Sequence, residues 1–230
     1  MIEFEAVTKS YLGMRPVLET VDLRIGKGDF FYLTGISGAG KTTVFRLLLR
    51  LERPTGGKIR LDGKEVTALR PAQVPLLRRR VGMVFQDYRL LPDLPVEDNV
   101  ALPLRVAGWS AGRIRGRVDE CLEWVGLEDR RAQKARSLSG GEQQLTALAR
   151  AMVFDPPLVL ADEPTGNLDQ NMAFRVMSLL RRLHGQGTTV IVATHDLNLI
   201  RSFRARTLLI KDRQIHEVRL VQPGDGPGPE

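Results

Sequence analysis

The eight residues Gly35-Ile36-Ser37-Gly38-Ala39-Gly40-Lys41-Thr42 constrain the fold of this chain more than any other segment. Glycines at that spacing let backbone N–H groups curl around phosphate oxygens, and the arrangement works where a strand ends and a helix begins. Both flanks are present. Phe30 to Leu33 is an apolar run of strand length, and Val44, Leu47, Leu48 and Leu51 recur at helical spacing. The segment therefore predicts an α/β fold in which a phosphate meets the positive end of a helix. Lys41 adds a point charge, and Thr42 offers a hydroxyl to magnesium. Alone, such a loop specifies nucleotide binding and no particular task.

Further along, Leu158-Val159-Leu160-Ala161-Asp162-Glu163 reads as an apolar strand ending in two carboxylates, at the edge where α/β sheets place ligands. Asp162 suits magnesium, and Glu163 suits the polarising of an attacking water. The competing reading is an acidic pair opening a helix before Pro164. Three single residues gain meaning beside these motifs. Gln86, after the strand Val81 to Phe85, can reach magnesium or the lytic water; His195, after the strand Thr188 to Ala193, can reach the γ-phosphate; Tyr11 can stack on adenine. Their plainer readings are a strand end, a helix-start histidine paired with Asp196, and a half-buried strand aromatic.

A chain of 230 residues, 43% of them apolar, can bury one sizeable core. We expect one domain over residues 1–221, opening with strands at Ile2 to Val7 and Val21 to Ile25 and carrying another at Ile59 to Leu61. A helical subdomain is expected at about 90–152, where Val118, Leu122 and Val125 share a face. Alternation then resumes: a helix at Met172 to Leu183, another at Leu197 to Phe203, and closing strands at Leu208 to Ile210 and Ile215 to Leu220. The tail 222–230 has almost nothing to bury and is expected to be disordered. Cys121, the single cysteine, permits no internal disulfide.

No charged-then-apolar leader and no apolar run near the ~20 residues that span a bilayer is present, so the expected location is the cytosol. The net charge of +7 suits polyanions, whether nucleic acid, nucleotide or an anionic membrane face. Arg78-Arg79-Arg80, Arg113/Arg115/Arg117 and Arg130-Arg131 read as solvated faces, without the interleaved aromatics of a base-stacking surface.

The hexapeptide Leu138-Ser139-Gly140-Gly141-Glu142-Gln143 narrows the reading sharply. The Ser139 hydroxyl and the first amides of the helix continuing through Ala151 form an anion site with no phosphate of its own. With the glycine loop, Gln86, this hexapeptide, Asp162-Glu163, Asn167-Leu168-Asp169 and His195 in that order, the chain resembles the nucleotide-binding subunits of ABC transporters over nearly its full length.

The resemblance implies an ABC-type P-loop ATPase core with an antiparallel β subdomain and the inserted helical one, using ATP and Mg2+. It implies that Tyr11, residues 35–43 including Thr43, and Gln86 hold nucleotide, that Thr42, Gln86 and Asp162 hold the metal, and that Lys41, Glu163 and His195 serve hydrolysis. It further implies that Ser139, Gly140, Gly141 and Asp169 serve a nucleotide bound to a second copy, in a head-to-tail homodimer.

Within the family, Tyr32 to Thr42, Val74 to Asp87 and Ala193 to Ile200 are most similar to the cell-division ATPases, whereas Ala161 to Asp169 is shared with lipoprotein-releasing and macrolide-exporting members. The cell-division likeness implies an integral membrane partner, peripheral attachment to the cytoplasmic face of the cell membrane, control of cell-wall hydrolysis, and no nucleic acid. A soluble ABC ATPase acting on nucleic acid is the contrasting class; such proteins usually carry a long coiled-coil insertion or two ATPase domains, for which 230 residues leave no room. One position departs from the family: Leu145 stands where an arginine is usual, which removes a charge behind Ser139.

Overall fold

The alternating and apolar runs at the start of the chain form strands in the computed structural model, which describes residues 1–13 and 15–218. β1 (Ile2–Lys9) and β2 (Leu18–Ile25) pair antiparallel, and β3 (Phe30–Thr34) leads through the glycine loop into α1 (Lys41–Leu48). That helix ends sooner than its apolar spacing predicts. The chain turns through left-handed backbone at Arg50, and Leu51 lies beyond the helix, 46% exposed.

β4 (Gly56–Leu61) and the two-residue β5 (Lys64–Glu65) complete a sheet of order β2-β1-β4-β5. A short helix that periodicity did not reveal, α2 (Val74–Arg79), precedes β6 (Val81–Val84). Pro75 sits near its start, where a missing N–H costs nothing, and Arg78 and Arg79 sit at its negative end.

The stretch after Gln86 is helical: α3 (Val96–Val106), α4 (Ala111–Val125) and α5 (Gly140–Met152) pack on one another. β7 (Leu158–Asp162), α6 (Gln170–Gly185), β8 (Thr189–Ala193), α7 (Leu197–Ser202), β9 (Arg206–Lys211) and β10 (Gln214–Val218) follow. The second sheet has the order β10-β9-β3-β8-β7-β6, with β9, β3, β8, β7 and β6 parallel and β10 antiparallel at the edge. The expected tail at 222–230 and the last two residues of the strand predicted to reach Leu220 lie outside the described residues.

Burial along the central strands explains their near-continuous apolar sequence. Successive side chains of a strand point to opposite faces, so a strand covered on both faces needs apolar residues throughout. Phe30, Tyr32, Val159, Ala161, Val190 and Val192 join the core shared with α3 to α7. Phe31, Leu33, Leu158, Leu160, Ile191 and Ala193 join the other core, against α1 and the antiparallel sheet. Leu145 is fully buried in the first of these cores.

Of the basic groups, Arg78, Arg80, Arg113, Arg115 and Arg130 are exposed, as expected of solvated faces, yet several members also tie elements together. Arg117 is a half-buried strut whose Nε donates to the Val153 carbonyl at 3.0 Å and whose Nη2 donates to that of Met152 at 2.8 Å. Arg78 donates to the Leu49 and Arg50 carbonyls, and Arg131 pairs with Glu97 and Asp119.

Candidate functional site

Four neighbouring strands deliver the chemistry at their C-terminal ends. The glycine loop follows β3, Gln86 follows β6 by two residues, Asp162 ends β7 with Glu163 next, and His195 follows β8 by two. Ligands of open α/β sheets sit at this edge. Gly40, immediately before α1, takes a φ of +111°, and a side chain there would fall 2.7 Å from Val17 Cγ1, so the turn admits only glycine.

Lys41 is buried, and its ammonium donates to the loop carbonyls of Gly35 at 2.9 Å and Ile36 at 3.4 Å while standing 3.9 Å from Glu163 Oε1. Thr42 Oγ1 donates to Asp162 Oδ2 at 2.9 Å, so the loop and the carboxylate strand are joined directly. A cavity of about 690 Å³ opens beside them, lined by Thr42, Gln86, Asp162, Asn167, Phe45 and Arg46 among others. Burial pushes the Asp162 carboxyl above the usual carboxylate range, against the Thr42 hydrogen bond that pulls it down.

Glu163 is not the start of a helix. Its backbone takes a left-handed φ of +47° with its N–H held by the Ala193 carbonyl at 2.9 Å, and α6 begins only at Gln170. The turn aims its Oε1 at His195 Nδ1, 2.8 Å away. Such strained backbone gathers where the surrounding fold over-determines it. Asp196, the partner in the plainer reading of His195, instead caps α7 through the N–H groups of Asn198 and Leu199. Tyr11 lies in the turn after β1, its hydroxyl 3.3 Å from Thr43 Oγ1 and the Lys9 ammonium 4.7 Å over its ring.

The hexapeptide lies elsewhere on the chain. Ser139 caps α5, Glu142 completes the cap, and Gly140 lies against the Tyr88 hydroxyl and the Asn167 carbonyl, so Asn167 stands between this helix end and the cavity that it lines. Asp169 caps α6 by accepting the Met172 N–H at 3.0 Å.

Two further residues hold the segment after Gln86 and were not singled out in the sequence. Asn99, fully buried, accepts the Leu91 N–H at 2.7 Å and donates to the Leu91, Leu94 and Pro95 carbonyls. A polar residue between Val96 and Val100 on an apolar helix face was its only signal. Arg150 on α5 donates to the Arg89 carbonyl at 2.5 Å and the Tyr88 carbonyl at 2.6 Å, both residues being in left-handed backbone, and burial holds its guanidinium below its usual pKa.

The family described as ABC transporter matches residues 18–166, from β2 through the loop, the hexapeptide and the carboxylate strand. The chain belongs to the ABC transporter family. Among relatives it is 47% identical to the cell division ATP-binding protein FtsE of Escherichia coli K12, over 94% of this chain and 97% of the relative. FtsE of Mycobacterium tuberculosis is 46% identical over 93% and 96%, and FtsE of Bacillus subtilis 41% over 92% and 93%. The fold matches the ATP-binding cassette MJ0796, solved as a dimer in a post-hydrolysis state bound to ADP and Pi, with a TM-score of 0.86 and 36% identity over 96% of this chain and all of that one. The chain is an ABC transporter ATPase of the FtsE type, and cell division is the role those relatives' names carry.

Proposed function

We propose that two copies of this chain close head to tail around two ATP molecules, and that hydrolysis reopens them and passes the motion to a membrane protein. The observation that carries this reading is the presence of two phosphate-seeking helix ends on one chain, of which only one opens on the cavity. That of α1 opens beside the cavity of Thr42, Asp162 and Gln86, whereas that of α5 abuts Tyr88 and Asn167. The lining of the cavity beside the α1 end includes none of Ser139, Gly140 and Gly141, which supports leaving them for a nucleotide carried by another copy.

In each half-site the loop amides and Lys41 bind the phosphates, Tyr11 supports the base, and Glu163 takes the proton of the attacking water. His195 holds the Glu163 carboxylate in place through the contact at 2.8 Å. The oxygen-only set of Thr42 hydroxyl, Asp162 carboxylate and Gln86 amide around one cavity fits a hard divalent cation such as Mg2+. Such a cation, when bound, neutralises phosphate charge, and it favours ionised Asp162 against burial.

The receiving surface runs from Asp87 to Leu102, which Asn99 and Arg150 fix to the helices behind it. No helix among the described residues is long and apolar enough to cross a membrane. The FtsE relationship supports peripheral attachment at the cytoplasmic face through an integral partner of FtsX type, with cell-wall hydrolysis at the division site as the output.

The test is Glu163→Gln. It should bind ATP, lose turnover by roughly 10²- to 10⁴-fold and accumulate as a dimer on size exclusion with ATP. Normal turnover in that variant would sink the assigned role. Ser139→Arg should abolish turnover yet leave ATP affinity of the isolated chain intact, and a collapse of that affinity would refute sharing between chains. Purification from detergent-solubilised membranes identifies the partner directly.

A further inference from the structure

The anion site at the start of α5 already has an internal occupant. Glu142 Oε2 accepts the Ser139 hydroxyl proton at 2.8 Å and the Ser139 backbone N–H at 2.9 Å, while its Oε1 accepts from Arg130 Nε at 2.8 Å. The serine oxygen in turn accepts the Glu142 N–H at 3.3 Å. These bonds, with Arg130 beside them, hold the Glu142 carboxyl below the usual range, so it is ionised near neutral pH. A hydroxyl has one proton to donate. While that proton and the Ser139 amide point at Glu142, neither is available to a phosphate.

We propose that Glu142, with Arg130 behind it, sets the ATP concentration at which two chains pair, by competing for the Ser139 donors that the partner's nucleotide needs. This rests on the head-to-tail reading above. On closure the Ser139 hydroxyl turns from carboxylate to γ-phosphate, and Glu142 keeps Arg130. The carboxylate also stands as a negative charge beside the arriving phosphate, and Arg130 offsets part of it. Like charges juxtaposed across an interface weaken association, and compensated ones weaken it less.

Glu142 is thus a positioning residue with an unusual sign, since its removal should improve pairing. Glu142→Gln keeps a side-chain oxygen for the Ser139 N–H and so retains the helix cap, but it removes the charge. Arg130→Gln exposes the charge. The double variant removes both.

The experiment measures, in the Glu163→Gln background, the ATP concentration giving half-maximal dimer by analytical ultracentrifugation, with thermal unfolding to verify that each variant is folded. Glu142→Gln should lower the half-point about tenfold, Arg130→Gln should raise it severalfold, and the double variant should match Glu142→Gln within about twofold. If both single substitutions raise the half-point, Glu142 is a helix cap and nothing more, and the inference is overturned. An Arg130→Gln shift that persists undiminished in the double variant, or no shift with Glu142→Gln, overturns it equally. Should the Glu163→Gln parent form no dimer with ATP, the head-to-tail reading itself falls and takes this one with it.

Discussion

Leu145 offers the sharpest test of how the signature helix is held. Its side chain is fully buried among the residues of the core shared with α3 to α7. Leu145→Ala removes three carbons, worth about 2.4 kcal/mol at ~0.8 kcal/mol for each buried methylene. A cavity of up to about 70 Å³ adds as much as ~1.7 kcal/mol at ~24 cal/mol per Å³ if the surroundings do not collapse. The expected loss is therefore about 2.5 to 4 kcal/mol, a fall in Tm of roughly 5 to 16 °C for a chain of this length. Differential scanning calorimetry measures the fall. ATP turnover well below the new Tm should stay within about threefold of the parent, because leucine acts through packing and touches no nucleotide ligand. Leu145→Arg, which introduces the residue that the family resemblance implies, forces a charge into an apolar core and should unfold the chain or cost more than the alanine does. A Tm within 1 °C of the parent for Leu145→Ala, or an arginine variant as stable as the parent, would refute the packing argument.

Three other outcomes follow from the geometry. A side chain on Gly141 would lie 2.6 Å from Met172 Cγ and 2.7 Å from its Cε, so Gly141→Ala should cut turnover by an order of magnitude or more, and adding Met172→Ala should restore part of it in a steady-state assay. Burial raises the Asp162 pKa in the folded chain above its unfolded value, so its ionisation destabilises the fold as pH rises through that raised value. Asp162→Asn should then be more stable than the parent at alkaline pH by thermal unfolding, match it more closely under acid, and lose turnover; a parent less stable under acid by an Asp162-dependent amount would reverse the sign. Asn99→Ala leaves the Leu91 N–H without its acceptor, while the Leu91, Leu94 and Pro95 carbonyls keep backbone donors, and should cost about 1 to 3 kcal/mol and open the 87–95 segment to limited proteolysis; unchanged cleavage there would show that the segment is held by other contacts.

Local signals located the motifs because each depends on neighbours in sequence. The loop from Gly35 to Thr42 needs a strand before it and a helix after it, and both were visible in apolar spacing. The contacts that join motifs were not visible. Thr42 meets Asp162 across 120 positions, Glu163 meets His195 across 32, and Arg150 reaches the Arg89 carbonyl across 61. Carbonyls are present at every residue, so nothing in composition marks the ones that Arg150, Arg117 or Arg78 will find. For the same reason Arg117 reads in the sequence as part of a solvated face, although it is half-buried. The short helix Val74–Arg79 escaped because six residues cannot display a repeat, and the early end of α1 escaped because Leu51 keeps the spacing after the backbone has turned.

The division of each central strand between two cores has a consequence for how this ATPase can change. Phe31 and Tyr32, or Leu160 and Ala161, are chain neighbours that answer to different sets of packing partners. A volume change on either side of the sheet therefore shifts the same strand, and with it the nucleotide loop, carboxylate or histidine at its end. Neither core is insulated from the site, so drift on the face toward the helices must be answered on the face toward α1, and the pairing of opposite-face substitutions between homologues becomes a readable record of that constraint.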